Sequence, residues 1–229
     1  MTHSKPDGVS VSFKPSGVAL DYGQSDEDLA RADLYGILSE LFGAPPSDQF
    51  FNRLAASPKV SPDDPQTALT MAWQSLVEKA AVTSPADIRE EFESLFIAVG
   101  KPDIVSNASF YLAGALNQQP LVDLRLALDQ LGIERDPESS ETEDHFAAVC
   151  EVMRYLVAGE LGEHAPPQNL LNLQRDFFSE HLASWVFDYL DAVEAHRASN
   201  FYMAASTFAR IFFEIERQAF DIYLAGDSG

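Results

Sequence analysis

Cysteine is almost missing from this chain. Cys150 is the only one, which excludes a disulfide framework and a thiolate zinc site and fits a reducing cytoplasm. Bases are also scarce. Fifteen Lys and Arg stand against 36 acids, for a formal net charge of −21. Such a surface repels phosphate backbones, so nucleic-acid binding is not expected, whereas basic partners are attracted. The same charge also serves solubility alone. No apolar run reaches the ~18 residues of a membrane span, and the longest ones are interrupted by Arg154 and Arg210. No basic segment leads into an apolar run at the N-terminus, so a signal peptide is not expected.

Catalytic signatures are missing too. None of the five histidines follows a glutamate by three positions, as a di-iron bundle requires. There is no His-Glu-x-x-His, no His-x-x-x-His, no Gly-rich phosphate loop and no Gly-x-Ser-x-Gly turn. The residues therefore predict no catalytic site, no transition metal and no bound cofactor. No alternating strand pattern and no internal repeat is visible.

What is present is helical periodicity in a chain with 46% hydrophobic residues. Residues 1–24 mix Ser, Gly, Pro and Lys without a period and read as a loose tail. From Ser25 onward, capping residues and apolar stripes alternate with Gly and Pro stops. Leu29, Leu34, Ile37, Leu38 and Leu41 stripe the first helix. Ser84 caps a later one that carries Ile88, Phe92, Leu95, Phe96 and Val99 and is expected to run to Gly100. Residues 166–199 read as two helices with a break near Ala183. The last helix aligns Phe201, Ala205, Phe208, Ile211, Phe212 and Ile215. Residues 25–229 are thus expected to form an all-α, single globular domain of roughly nine helices. Its two lobes would be joined by an acidic hinge at 133–142, which would permit a monomer or a domain-swapped dimer.

The segment "ETEDHFAAVCEVMRYLVAG", residues 141–159, poses a specific question. On a helical wheel Phe146, Val149, Cys150, Met153 and Val157 share one side. Asp144 falls opposite, with Glu151, and His145 lies at the boundary. Cys150 is expected to be a buried thiol. An acid in a first helical turn suits the dipole by ~0.3–1 kcal/mol. Local physics leaves two readings of Asp144-His145 open, a helix cap or a binding pair.

A resemblance bears on that choice. "EDHFAAVCEVMRYL" resembles the Asp-His helix of the TorD/DmsD/NarJ family, cytoplasmic chaperones that mature molybdenum-containing redox enzymes. "EEFESLFIAVGKP" is similar to the family's Glu-aromatic-x-x-Leu-Phe helix and Gly/Pro loop, and "NASFYL" to its Glu-Ser-Val-Tyr segment. "RDFFSEHLASWVFDYLDAVEAHRASNFYMAAS" matches its Phe-x-x-x-His-Leu-x-x-Trp helix pair and Phe-Tyr helix start. The likeness runs from about residue 27 to 222. It departs where Ala108 replaces the usual acid and "IVSN" the usual Pro-Pro-Trp, which leaves the client open.

The resemblance implies a non-enzymatic chaperone in the cytoplasm. Its partner would be a molybdoenzyme catalytic subunit (dimethyl sulfoxide, trimethylamine-oxide or nitrate reductase, or formate dehydrogenase) with its N-terminal leader, often a twin-arginine signal. It implies a leader-binding surface at Asp144, His145, Phe92, Leu95, Phe96, Ser109, Tyr111 and Glu151, with Asp144 and His145 facing the partner. It implies no cofactor beyond weak guanine-nucleotide contact. A nucleotide hydrolase and a permanent structural subunit of a redox complex are the competing readings.

Overall fold

The computed structural model describes residues 13–15, 25–61, 65–97, 102–136, 139–161 and 169–227. Among them are ten α-helices, one π-helical turn and one short strand pair. The helices are α1 (Asp26–Gly43), α2 (Asp48–Ala55), α3 (Ala68–Val82), α4 (Pro85–Phe96), α5 (Ala108–Ala113), α6 (Gln119–Leu131), α7 (Phe146–Ala158), α8 (Leu170–Phe177), α9 (Val186–Ala195) and α10 (Phe201–Asp227). The all-α expectation holds.

Side chains start the first four helices. Ser25, Ser47, Thr67 and Ser84 each accept a bond from the backbone N–H three residues on, and Ser25 forms a reciprocal capping box with Asp28. α4 stops at Phe96, short of the expected Gly100, because Ile97 turns to extended backbone (φ −121°, ψ 126°). Residues 98–101, Val99 among them, lie outside the described set.

α7 is the central helix. Besides the expected stripe, Ala148, Val152, Tyr155 and Leu156 are buried, so it is apolar nearly all round, as a helix enclosed by others must be. α1 runs along it. The approach is close at Gly43, where an added Cβ would sit 3.1 Å from the Ala147 Cβ. α1 therefore buries Ala32, Tyr35, Leu38 and Leu41, while Leu29 stays exposed. α10 packs on α3, α4 and α9 through Phe201, Ala205, Phe208 and Phe212. Phe213 is buried there too, and Ile215 is exposed.

The segments on either side of the acidic connection interleave. α1 and α3 precede the 133–142 connection, yet they pack on α7 and α10, which follow it, within one continuous core. The connection is also not a bare linker. Residues Ile133–Arg135 form β2, paired antiparallel with β1 (Phe13–Pro15), so part of the expected loose tail has a partner. Lys14 stands opposite Glu134 in that register.

Two polar clusters bind distant segments. The Arg31 guanidinium donates twice to Glu216 at 2.8 Å, and the Tyr35 hydroxyl joins the same carboxylate at 2.9 Å, which fastens α1 to α10. Glu91 explains why two of the quoted motifs occur together. Its carboxylate accepts the Asn200, Phe201 and Tyr202 backbone N–H groups at 2.7, 3.0 and 2.8 Å, so the motif glutamate of α4 caps the Phe-Tyr start of α10. Three N–H groups and the positive end of the helix dipole converge on one anion. Glu91→Ala is expected to destabilise the protein by ~1–2 kcal/mol, with Glu91→Gln intermediate. Urea unfolding followed by circular dichroism checks this, and an unchanged midpoint for the alanine variant would remove Glu91 from the stabilising set.

The break foreseen near Ala183 is a π-helical turn, Phe178–Ala183, between α8 and α9. The Trp185 indole N–H donates to the His181 carbonyl at 2.8 Å. The Phe177 and His181 rings lie 5.0 Å apart, and Leu182 and Trp185 are buried. The Phe-x-x-x-His-Leu-x-x-Trp spacing thus encodes this turn.

Candidate functional site

Residues 102–107 lead into α5 and meet the start of α7. The Ala108 N–H donates to the Asp144 carbonyl at 2.9 Å, and the Phe146 N–H to the Ser106 carbonyl at 2.7 Å. This antiparallel bridge sets Asn107 beside His145.

Asp144 does not point outward as the wheel implies. It is only 1% exposed. Oδ2 accepts the Ser109 N–H at 2.9 Å and its hydroxyl at 2.5 Å. Oδ1 accepts the Thr142 hydroxyl at 2.6 Å and the Asn107 amide at 3.2 Å. The N-cap residue of α5, Asn107, makes no capping bond of its own, so Asp144 caps α5 from 35 residues away. Burial pushes its carboxyl up, but the bonds from the Ser109 hydroxyl, Thr142, the Ser109 backbone and Asn107 outweigh it, and the group is held below its ordinary range. It is a buried carboxylate compensated by donors.

The outward assignment failed for a geometric reason. The wheel began at 144, whereas the helix begins at Phe146 and His145 is its N-cap in extended conformation (φ −68°, ψ 140°). Both residues of the pair make capping bonds, on two different helices. His145 Nδ1 accepts the Ala147 N–H at 3.2 Å, which leaves the proton on Nε2. Burial lowers its pKa from 6.5 to about 4, against the opposing pull of Asp144, so the ring is neutral at pH 7.

Above this junction lies a groove of about 630 Å³. Phe92 and Phe96 of α4, its C-cap Ile97, and Ile104, Val105, Phe110 and Leu116 line it, together with the polar groups of Glu141 and His145. Of the expected site residues, Phe92, Phe96 and His145 line it. Asp144 and Ser109 brace it from beneath.

Three others lie elsewhere. Leu95 is fully buried, and its carbonyl accepts the Ile104 N–H at 3.0 Å, so it belongs to the core. Tyr111 turns away to stack on Trp185 at 5.7 Å. Glu151 pairs with Arg154 at 2.9 Å in a different cleft, beside Gly36, Arg53 and Trp73. Its position follows from α7 being enclosed, with no free edge along the groove.

Sequence reasoning missed Glu141, Ile104, Val105 and Phe110. Glu141 was absorbed into the acidic connection, although it stands three residues before the Asp144 that anchors the bridge. Burial raises its pKa, with Asp144 adding and Arg135 opposing. The groove is therefore mainly apolar, with a half-buried acid and a neutral imidazole in its lining. Among the described residues no group of three or more His, Cys, Asp or Glu is arranged to hold a metal ion, and no helix is long and apolar enough to cross a membrane.

Comparisons with known proteins place the chain among its relatives. The chain is 25% identical to the chaperone protein TorD of Vibrio cholerae serotype O1 over 202 residues, 83% of this chain and 92% of that protein. It is 24% identical to the chaperone protein TorD of Photobacterium profundum over 160 residues, 68% and 72% of the two chains. It is 28% identical to the perchlorate reductase assembly chaperone protein of Dechloromonas aromatica over 143 residues, 58% and 64%. The family model described as nitrate reductase delta subunit matches residues 62–191, more than half of the 229. The chain belongs to this nitrate reductase delta subunit family, which includes the TorD and NarJ chaperones.

Proposed function

We propose that the protein is a cytoplasmic chaperone for the catalytic subunit of a molybdenum oxidoreductase. It binds the client's N-terminal leader in the groove between α4 and α5 and holds the apoprotein until its cofactor is inserted. The observation that carries this reading is the apolar groove whose lining includes Glu141 and His145. A leader with a basic start and an apolar middle matches it, with the apolar middle between Phe96, Ile97 and Val105 and the basic group at Glu141. This moves the cation-receiving role from Asp144 to the acid three residues earlier.

Magnitudes divide the labour. A partly exposed Arg–carboxylate contact contributes ~0.2–1 kcal/mol, and each large apolar side chain buried ~1.5–3 kcal/mol. Micromolar binding needs about 8 kcal/mol net. The walls therefore supply affinity and Glu141 supplies orientation.

Calorimetric titration with synthetic twin-arginine leader peptides of molybdoenzyme catalytic subunits tests the reading. The double variant Ile97→Ser/Leu116→Ser, at two exposed positions, is expected to bind about tenfold more weakly with an unchanged circular dichroism spectrum. Glu141→Gln is expected to lose a few-fold, and only toward leaders that keep their arginines. Raising salt is expected to cost only as much as the Glu141 contact. Unchanged affinity in the folded double variant would move the client away from this groove.

A further inference from the structure

We propose that the exposed side of α6 is a second docking surface, for a basic amphipathic helix of a partner protein. α6 is already anchored in the core by Leu121, Leu124, Leu128 and Leu131. Val122 and Leu126 stand one turn apart on its outer side, 47% and 58% exposed. One stripe suffices for a surface helix, so these two are surplus to the fold. Leu112, at the end of α5 and also exposed, lines a cavity of about 280 Å³ with Pro120 and Leu124 on a neighbouring flank of α6. The surface is separate from the leader groove. Phe110 and Gly114 of the α5 region face that groove, whereas Ala108 and Leu112 face this side.

Charge selects the occupant. Asp123 and Asp129 are exposed beside Val122 and Leu126, and Asp123 and Glu180 wall the cavity beside Leu112. The one cation in the α6 sequence, Arg125, is engaged with Glu143 at 2.8 Å. Asp123 receives the neutral Gln119 amide. Apolar side chains inside an acidic frame repel a second copy of this −21 chain, an acidic helix or an anionic membrane. They match a helix that carries apolar residues three and four apart with Lys or Arg at its flanks.

The probe is a synthetic helix of about five turns with a leucine face and lysines on the remaining positions. Its controls are the same leucine face with glutamates, and a scrambled basic peptide with no face. Each is titrated into the full chain, with hydrogen exchange read along α6. The faced basic peptide is expected to bind and to slow exchange over residues 119–131. Val122→Lys/Leu126→Lys, at exposed positions, is expected to weaken it about tenfold or more. Ile97→Ser/Leu116→Ser is expected to bind it as the unaltered chain does. Equal binding of the scrambled peptide, no loss in the α6 variant, or protection confined to the groove segment 102–110 would overturn the proposal.

Discussion

Asp144→Ala is expected to destabilise the protein by about 2–4 kcal/mol. The reason is the inventory of donors around the carboxylate. The Ser109 N–H belongs to the first turn of α5 and has no intrahelical acceptor, so it is stranded when Oδ2 is removed. The Ser109 and Thr142 hydroxyls can rotate elsewhere, and Asn107 keeps its bond to Thr142 at 3.0 Å. The loss therefore approximates one buried unsatisfied donor plus one helix cap. Asp144→Asn retains one acceptor oxygen but turns an NH2 toward donors, so about half the loss is expected. Since folded domains have only ~5–15 kcal/mol in hand, the alanine variant is expected to show a plainly shifted urea midpoint. Its leader affinity is expected to fall in step with the loosening of residues 106–109, not through a lost contact. A fully stable Asp144→Ala with weakened binding would restore the partner-facing role that the helical wheel suggested.

The contrast between Asp144 and Glu141 shows how far the sequence could be read. Class, helix order and most helix starts were legible, because Ser, Thr and Pro at helix entries and Gly or Pro beyond the ends act within one turn. The buried thiol of Cys150 was legible from periodicity. Helix length failed at α4, where no proline or glycine marks the stop at Phe96 and tertiary contact from Ile104 to the Leu95 carbonyl ends it. The site was legible as a neighbourhood and not as an orientation. "EDH" identifies the junction, but which of its three side chains faces the groove depends on the bridge between Asn107 and His145, 38 residues apart. A local wheel has no access to such pairing. The same limit hid the role of Glu91, whose partners lie 109–111 positions away.

Acid is expected to destabilise the protein mainly through His145. Its folded pKa, about 4, lies below the 6.5 of the free side chain. The native state therefore binds fewer protons than the unfolded chain throughout that window, and stability falls as pH falls. The contribution is complete above 6.5 and is lost progressively down to about 4, for a total on the order of 3 kcal/mol and a slope of at most ~1.4 kcal/mol per pH unit. The two neighbouring carboxyls do not mimic this. Asp144 is lowered from 3.8, so its own contribution is lost only at pH values below this window. Glu141, raised by burial, titrates with the opposite sign and is only half buried. His181 is lowered by burial and adds a further slope of the same sign. His145→Asn keeps an acceptor suited to an N-cap and removes the titration. The variant is therefore expected to match the unaltered chain within ~1 kcal/mol at pH 7.5, where one cap replaces another, and to be the more stable of the two at pH 4.5. Urea unfolding at half-unit steps from pH 7.5 to 4.5 reads both curves. Parallel curves between pH 6.5 and 5 would mean that His145 is protonated as readily folded as unfolded, and that the groove end beside Glu141 carries a cation after all.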